Sequence, residues 1–115
     1  MAAGVPAPLP PHWFQILLSL ADEPKHGLAI TDDVYARTGQ RLRLWPGVLY
    51  TALKRMTDAG LVAETDTPRR AAILGGKPRY FRITAAGRRA CADEAAYLSG
   101  LVAAARAKRL LKAKS

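Results

Sequence analysis

One cysteine and two histidines are too few to staple or metallate a domain. Cys91 has no partner for an intramolecular disulfide, and His12 and His26 lack the further ligands at short spacing that a zinc site requires. The longest nearly apolar run, Ala95 to Ala105, falls well short of the roughly 18 residues of a membrane span. No Lys or Arg precedes the apolar stretch from Trp13 to Ala21, and prolines at 6, 8, 10 and 11 interrupt its approach. A secretory signal is therefore not expected; the chain reads as cytoplasmic, with Cys91 reduced and no membrane partner. Catalytic groups are equally sparse. His12, His26 and Cys91 lie in separate segments, no serine sits in an elbow motif, and Gly75-Gly76-Lys77 lacks the length and the following hydroxyl of a phosphate loop. Asp32-Asp33 and Asp93-Glu94 are adjacent rather than one helical turn apart, so both read as solvated faces. The expectation is a protein that is not an enzyme and needs no cofactor or metal.

Acids are the other scarcity. Nine Asp and Glu face eighteen Lys and Arg in 115 residues, a net charge of +9. The excess is local: residues 1–40 carry two cations against four acids, residues 41–90 eleven against three, and residues 91–115 five against two. A small body with so basic a middle is biased toward a polyanion, and double-stranded DNA is the leading partner.

The length suits one domain able to bury about two-thirds of its extended surface. Residues 1–11, rich in proline and alanine, have no periodicity and read as a flexible leader, disordered or laid over the surface. Trp13, Ile16, Leu17 and Leu20 line one face of a first helix over 12–21. A second follows Lys25-His26-Gly27, with Leu28, Ile30, Val34 and Tyr35 turned inward, and stops at Thr38-Gly39. The third begins at Pro46, suited to a first helical turn, and ends at Gly60. At 100° per residue it divides into a core face of Leu49, Ala52, Leu53 and Met56 and an opposite face of Gly47, Tyr50, Thr51, Lys54 and Asp58. Residues 61–65 and 78–83 read as the two strands of an antiparallel ribbon, and Thr84 caps a fourth helix running to about Lys112.

Three short helices followed by a ribbon give the order of a winged helix-turn-helix over 12–84. The fold class is thus mainly α with a small β-ribbon, and 85–112 is a C-terminal dimerisation helix. An aromatic, a hydroxyl and a cation on the outer face of the third helix suit a major groove. Tyr50, Thr51 and Lys54 are the base-proximal candidates, with Arg55 at the edge of that face. Asp58 is repelled by phosphate and belongs at the end farther from the groove. Arg69, Arg70, Lys77 and Arg79 fall on the ribbon and its connecting loop, as phosphate or minor-groove contacts, although the Ala71-Ala72-Ile73-Leu74 stretch among them is unusually apolar for a DNA arm. Cys91, Ala95, Leu98, Val102 and Ala105 step by four, three, four and three along the fourth helix, a seam suited to a homodimer; folding back onto the first helix is the competing arrangement.

Pro24-Lys25-His26-Gly27, Pro46-Gly47-Val48-Leu49-Tyr50 with Ala52-Leu53, and Arg79-Tyr80-Phe81-Arg82-Ile83-Thr84 with Gly87 carry a family resemblance. From Trp13 to Leu101 the chain resembles the PadR-like transcriptional regulators, prokaryotic winged-helix repressors that bind operator DNA as homodimers. The resemblance implies that Tyr50, Thr51, Lys54 and the wing cations face DNA. Two departures stand out. Trp45 occupies the place of a small hydroxyl residue before the proline of the third helix, and cannot accept the capping bond. Drug-binding members carry a Trp on the C-terminal helix, which is absent here; Trp13, Tyr97 and Leu101 remain as the lining of a smaller pocket. The reading is a repressor binding an inverted-repeat operator as a homodimer, with no inducer named by the sequence. The alternative is a winged-helix module whose basic face takes an acidic protein.

Overall fold

Proline and side-chain caps set where most helices start. In the computed structural model, which describes residues 4–69 and 78–112, helix α1 spans Pro11–Leu20 and opens on a proline whose missing N–H is not needed there. Its face of Trp13, Ile16, Leu17 and Leu20 is buried. Strand β1 is the dipeptide Lys25–His26, and helix α2 follows at Gly27–Arg37, where the His26 imidazole accepts the Ala29 N–H at 3.2 Å. Helix α3 spans Pro46–Asp58, strand β2 Val62–Thr65, strand β3 Tyr80–Ile83 and helix α4 Ala85–Ala107.

The expected two-stranded ribbon is one part of a three-stranded antiparallel sheet ordered β1-β3-β2. Phe81 faces Lys25 on one side and Glu64 on the other, so β3 is the central strand. Two residues cannot display an alternating pattern; β1 exists only because β3 offers it hydrogen-bonding partners.

The core gathers one face of each helix around Phe81. Ile16, Leu17, Ile30, Val34, Leu49, Leu53, Met56 and Leu61 are essentially inaccessible, and each such Leu or Ile contributes about 1.5–3 kcal/mol by leaving water. Helix α2 corrects one expectation. Its inward face is Gly27, Ile30 and Val34, which rotates Leu28 outward to 66% exposure and leaves Tyr35 half-buried. Gly27 is where the first turn of α2 meets α3, because a Cβ there would collide with the Tyr50 hydroxyl.

Residues 4–10 are laid against the body. Leu9 is buried in the core cluster with Val5 packed beside it, and the Leu9 N–H donates to Glu94 Oε1 at 2.9 Å. Glu94 is therefore a buried acceptor at 7% exposure, not part of a solvated Asp93-Glu94 face. No periodicity in the leader signals this, since a single carboxylate and a single backbone N–H carry the tie.

Helix α4 starts as expected, with Thr84 Oγ1 accepting the Gly87 N–H at 3.0 Å. A Cβ on Gly87 would strike the Leu61 carbonyl, so the first turn of α4 rests directly on the backbone entering β2. The helix ends at Ala107, short of the expected Lys112. Arg109 takes a left-handed φ of 61°, and the Leu110 N–H closes back onto the Ala105 carbonyl at 2.9 Å, arresting the helix without a glycine. Buried positions on α4 are confined to Gly87, Cys91 and Glu94. Beyond them Tyr97, Leu101 and Val102 are 49%, 51% and 39% exposed, and the long axis reaches 52 Å. The radius of gyration, 15.8 Å, exceeds the roughly 13 Å of a spherical chain this size because α4 projects. Among the described residues no helix is long and apolar enough to cross a membrane.

Candidate nucleic-acid interface

Helix α3 turns Leu49, Ala52, Leu53 and Met56 inward, which forces Tyr50, Thr51, Lys54 and Arg55 to the surface. All four sequence candidates on this helix are thus exposed, and Gly47 and Val48 extend the same surface to the helix start. Trp45, the N-cap residue, makes no side-chain capping bond.

Tyr50 is the hinge of this surface. Its hydroxyl lies against Gly27, its ring centroid is 6.5 Å from that of Phe81, and the Arg79 guanidinium sits 5.7 Å from its centroid. Arg79 also reaches the Phe81 ring at 5.2 Å. Wing base and α3 are therefore joined by a cation laid across two aromatic faces. Between them runs a groove of about 590 Å³ whose rim includes Tyr50, Lys54, Asp58, Glu64 and Arg79.

Two of the candidate cations already have acidic neighbours. Arg79 donates to both carboxylate oxygens of Glu64, at 3.0 and 3.3 Å. The hydrogen bond to Arg79 holds the Glu64 carboxyl below its usual range, and that bond likewise raises Arg79. Lys54 approaches Asp58 at 3.5 Å, one turn on. Both pairs are exposed, so they are loosely held and exchangeable for another anion. Asp58 closes α3 at the far end from Trp45. Arg69 is exposed beyond β2, whereas Arg70, Lys77 and the apolar stretch 71–74 lie outside the described residues.

Sequence reasoning passed over Arg41 and Arg43, counted in the basic middle but assigned no place. The connection from α2 to α3 alternates: Leu42 and Leu44 turn inward, and Arg41, Arg43 and Trp45 turn outward beside the start of α3. That alternation was the available signal.

The residues proposed for other roles separate. Cys91 is buried within the protomer's own core, where loss of solvent pushes its thiol pKa up, so it does not stand on an outward seam. Of the residues read with it, Ala95 and Val102 are exposed, and Leu98 and Ala105 half-buried. Trp13, Tyr97 and Leu101 are not brought together. Trp13 lines a concavity of about 900 Å³ between residues 4–10 and α3, Tyr97 one of about 530 Å³ on the other side of residues 4–10, and Leu101 neither. Residues 4–10 divide the pocket that the sequence had joined. Among the described residues no cluster of three or more metal-ligating side chains occurs.

Residues 16–93 match the Transcriptional regulator PadR-like family. A search of curated proteins gives no match. Solved structures share the fold. A transcriptional regulator from Clostridium thermocellum superposes with a TM-score of 0.68 at 17% identity, over 82% of this chain and 85% of that one. RosR of H. salinarum gives 0.64 at 27% identity, over 90% and 88%. Bacillus subtilis PadR, solved in complex with operator DNA, gives 0.62 at 22% identity, over 75% of this chain and 47% of that one. The family match takes in α2, α3, the whole sheet and the packed beginning of α4, the parts that build the exposed α3 surface. This chain belongs to the PadR-like family of transcriptional regulators.

Proposed function

We propose that this regulator is a cytoplasmic repressor that binds an inverted-repeat operator as a homodimer. The observation that carries the reading is the exposed α3 surface of Tyr50, Thr51, Lys54 and Arg55 beside the Arg79 wing base, on a chain of net charge +9. In this reading α3 enters the major groove, where Thr51 and Lys54 bond base edges and Tyr50 supplies a rigid contact. Arg55, Arg69, Arg70, Lys77 and Arg79 bind flanking phosphates and supply most of the affinity. Arg79 and Lys54 exchange their carboxylates for DNA groups as the duplex docks.

The dimer is proposed through the projecting part of α4. Ala95, Leu98, Val102 and Ala105 lie along one stripe, with exposed Tyr97 and Leu101 beside it. A two-fold axis there sets two α3 helices into successive major grooves, about 34 Å apart. The likeness of fold to Bacillus subtilis PadR, solved in complex with operator DNA, supports the DNA-binding part of the reading.

Binding of the full chain to its own promoter DNA, titrated against salt, tests the reading. Replacing Arg69, Arg70 and Lys77 together by Ala lowers affinity on every sequence alike and reduces the salt slope by about three at most. Thr51→Ala or Lys54→Ala costs about 1–3 kcal/mol on the operator and less on random DNA. Equal losses on both DNAs make Thr51 and Lys54 backbone contacts; binding that ignores salt overturns the DNA reading in favour of another partner.

A further inference from the structure

The turn between α2 and α3 carries an ordered cation that the proposed recognition surface does not yet use. Leu44 is buried, and its carbonyl accepts the Thr31 hydroxyl at 3.2 Å, which fixes the turn to α2. With Leu42 and Leu44 turned in, Arg43 and Trp45 must point out. The Arg43 guanidinium then lies 4.4 Å from the Tyr35 ring centroid and 5.4 Å from that of Trp45. Lys25, Arg37, Lys54 and Arg79 each have a carboxylate partner, whereas no ion pair engages Arg43 among the described residues, Asp32 on the neighbouring turn of α2 included. Trp45 stands 63% exposed immediately before α3.

A guanidinium flanked by two aromatic rings is attracted by both π systems and loses rotamer freedom in advance, while its in-plane N–H edge stays available. That edge matches the spacing of phosphate oxygens, and pre-ordering lowers the entropy lost on contact. A carboxylate partner has to be displaced before a cation can serve DNA; aromatic faces do not. Tryptophan in place of a capping hydroxyl gives up one helix-cap bond and gains a ring for Arg43.

We propose that Arg43 is a backbone-phosphate contact at the start of α3, and that Trp45 is the positioning residue that holds it there. The proposal rests on the DNA-binding reading above. Trp45 acts through Arg43, so its effect is conditional on the arginine.

The test uses the full chain and a random-sequence 40-base-pair duplex, because a phosphate contact does not depend on sequence. Fluorescence anisotropy is read between about 50 and about 200 mM salt. Arg43→Ala is expected to weaken binding about tenfold and lower the salt slope by about 0.9. Arg43→Lys keeps the slope and loses about threefold, since an ammonium lacks the stacked plane. Trp45→Ser weakens the parent about threefold with the slope unchanged, and has no further effect once Arg43 is Ala. Both side chains are exposed, so neither substitution lowers the melting temperature; Trp45→Ser supplies a capping hydroxyl at the start of α3 and raises it slightly. An Arg43→Ala variant with parental affinity and slope overturns the proposal, as does a loss of affinity without a change of slope. Equal losses from Trp45→Ser with and without Arg43 overturn the positioning role. A parent that binds no duplex removes the DNA reading and this contact with it, an outcome distinct from a parent that binds steeply while Arg43→Ala matches it.

Discussion

The two halves of α4 obey different constraints. Up to Glu94 the helix is a wall of the protomer: Gly87 touches the backbone at Leu61, Cys91 joins the core, and Glu94 holds Leu9. After Glu94 no residue of the helix is fully buried, yet it keeps Tyr97, Leu101 and Val102 on its surface. Large apolar groups on a projecting helix cost solubility unless something covers them. The first half is therefore explained by one chain, and the second is the face that the proposed homodimer would cover.

The difference can be broken from either end. The largest effect is expected from deleting the chain from Leu98 onward. The winged-helix body keeps its core, but operator affinity falls by about a hundredfold or more as cooperative binding of two half-sites is lost. Sedimentation should show a monomer; a truncated chain that binds the inverted repeat with full affinity refutes the dimer. Gly87→Val acts on the other half. The new side chain meets the Leu61 carbonyl and Ile83, and the expected cost is about 3 kcal/mol, seen as a fall in denaturant midpoint with dimerisation measured separately.

Smaller changes sharpen the boundary. Glu94→Ala leaves the buried Leu9 N–H without its acceptor and should cost about 1–3 kcal/mol of stability. Glu94→Gln keeps an acceptor and should recover most of that loss in the same melt. Gly100→Ala is the mildest. In the protomer an added Cβ at Gly100 meets open space, so helix propensity alone should stabilise the fold by about 1 kcal/mol. A drop in dimer affinity with this variant would mark Gly100 as the point of closest helix approach.

Much of this architecture was legible in local chemistry. Pro46 and Gly60 bracket α3, Thr84 caps α4, and the alternation of Phe81 with Arg82 identifies β3. The exposed α3 surface was legible for the same reason, because a 13-residue amphipathic helix separates its faces by period alone. What escaped depends on pairs distant in sequence. Strand β1 needs β3, the buried role of Glu94 needs a residue in an aperiodic leader, and the Arg79–Glu64 pair needs the strand register. Leu28 was misplaced because an apolar residue in the first turn fits two helix phases, and the contact of Gly27 with Tyr50 selects the one that turns it out. The arrest at Arg109 had no glycine to announce it.

The tie between Leu9 and Glu94 also orders events during synthesis. The two residues are 85 positions apart, so at roughly 5–20 residues per second a ribosome releases the acceptor about 4–17 s after the donor. Until then residues 4–10 can touch α3, but the Leu9 N–H that draws them in lacks its buried acceptor. The nascent body is thus held incomplete until the first half of α4 has left the tunnel.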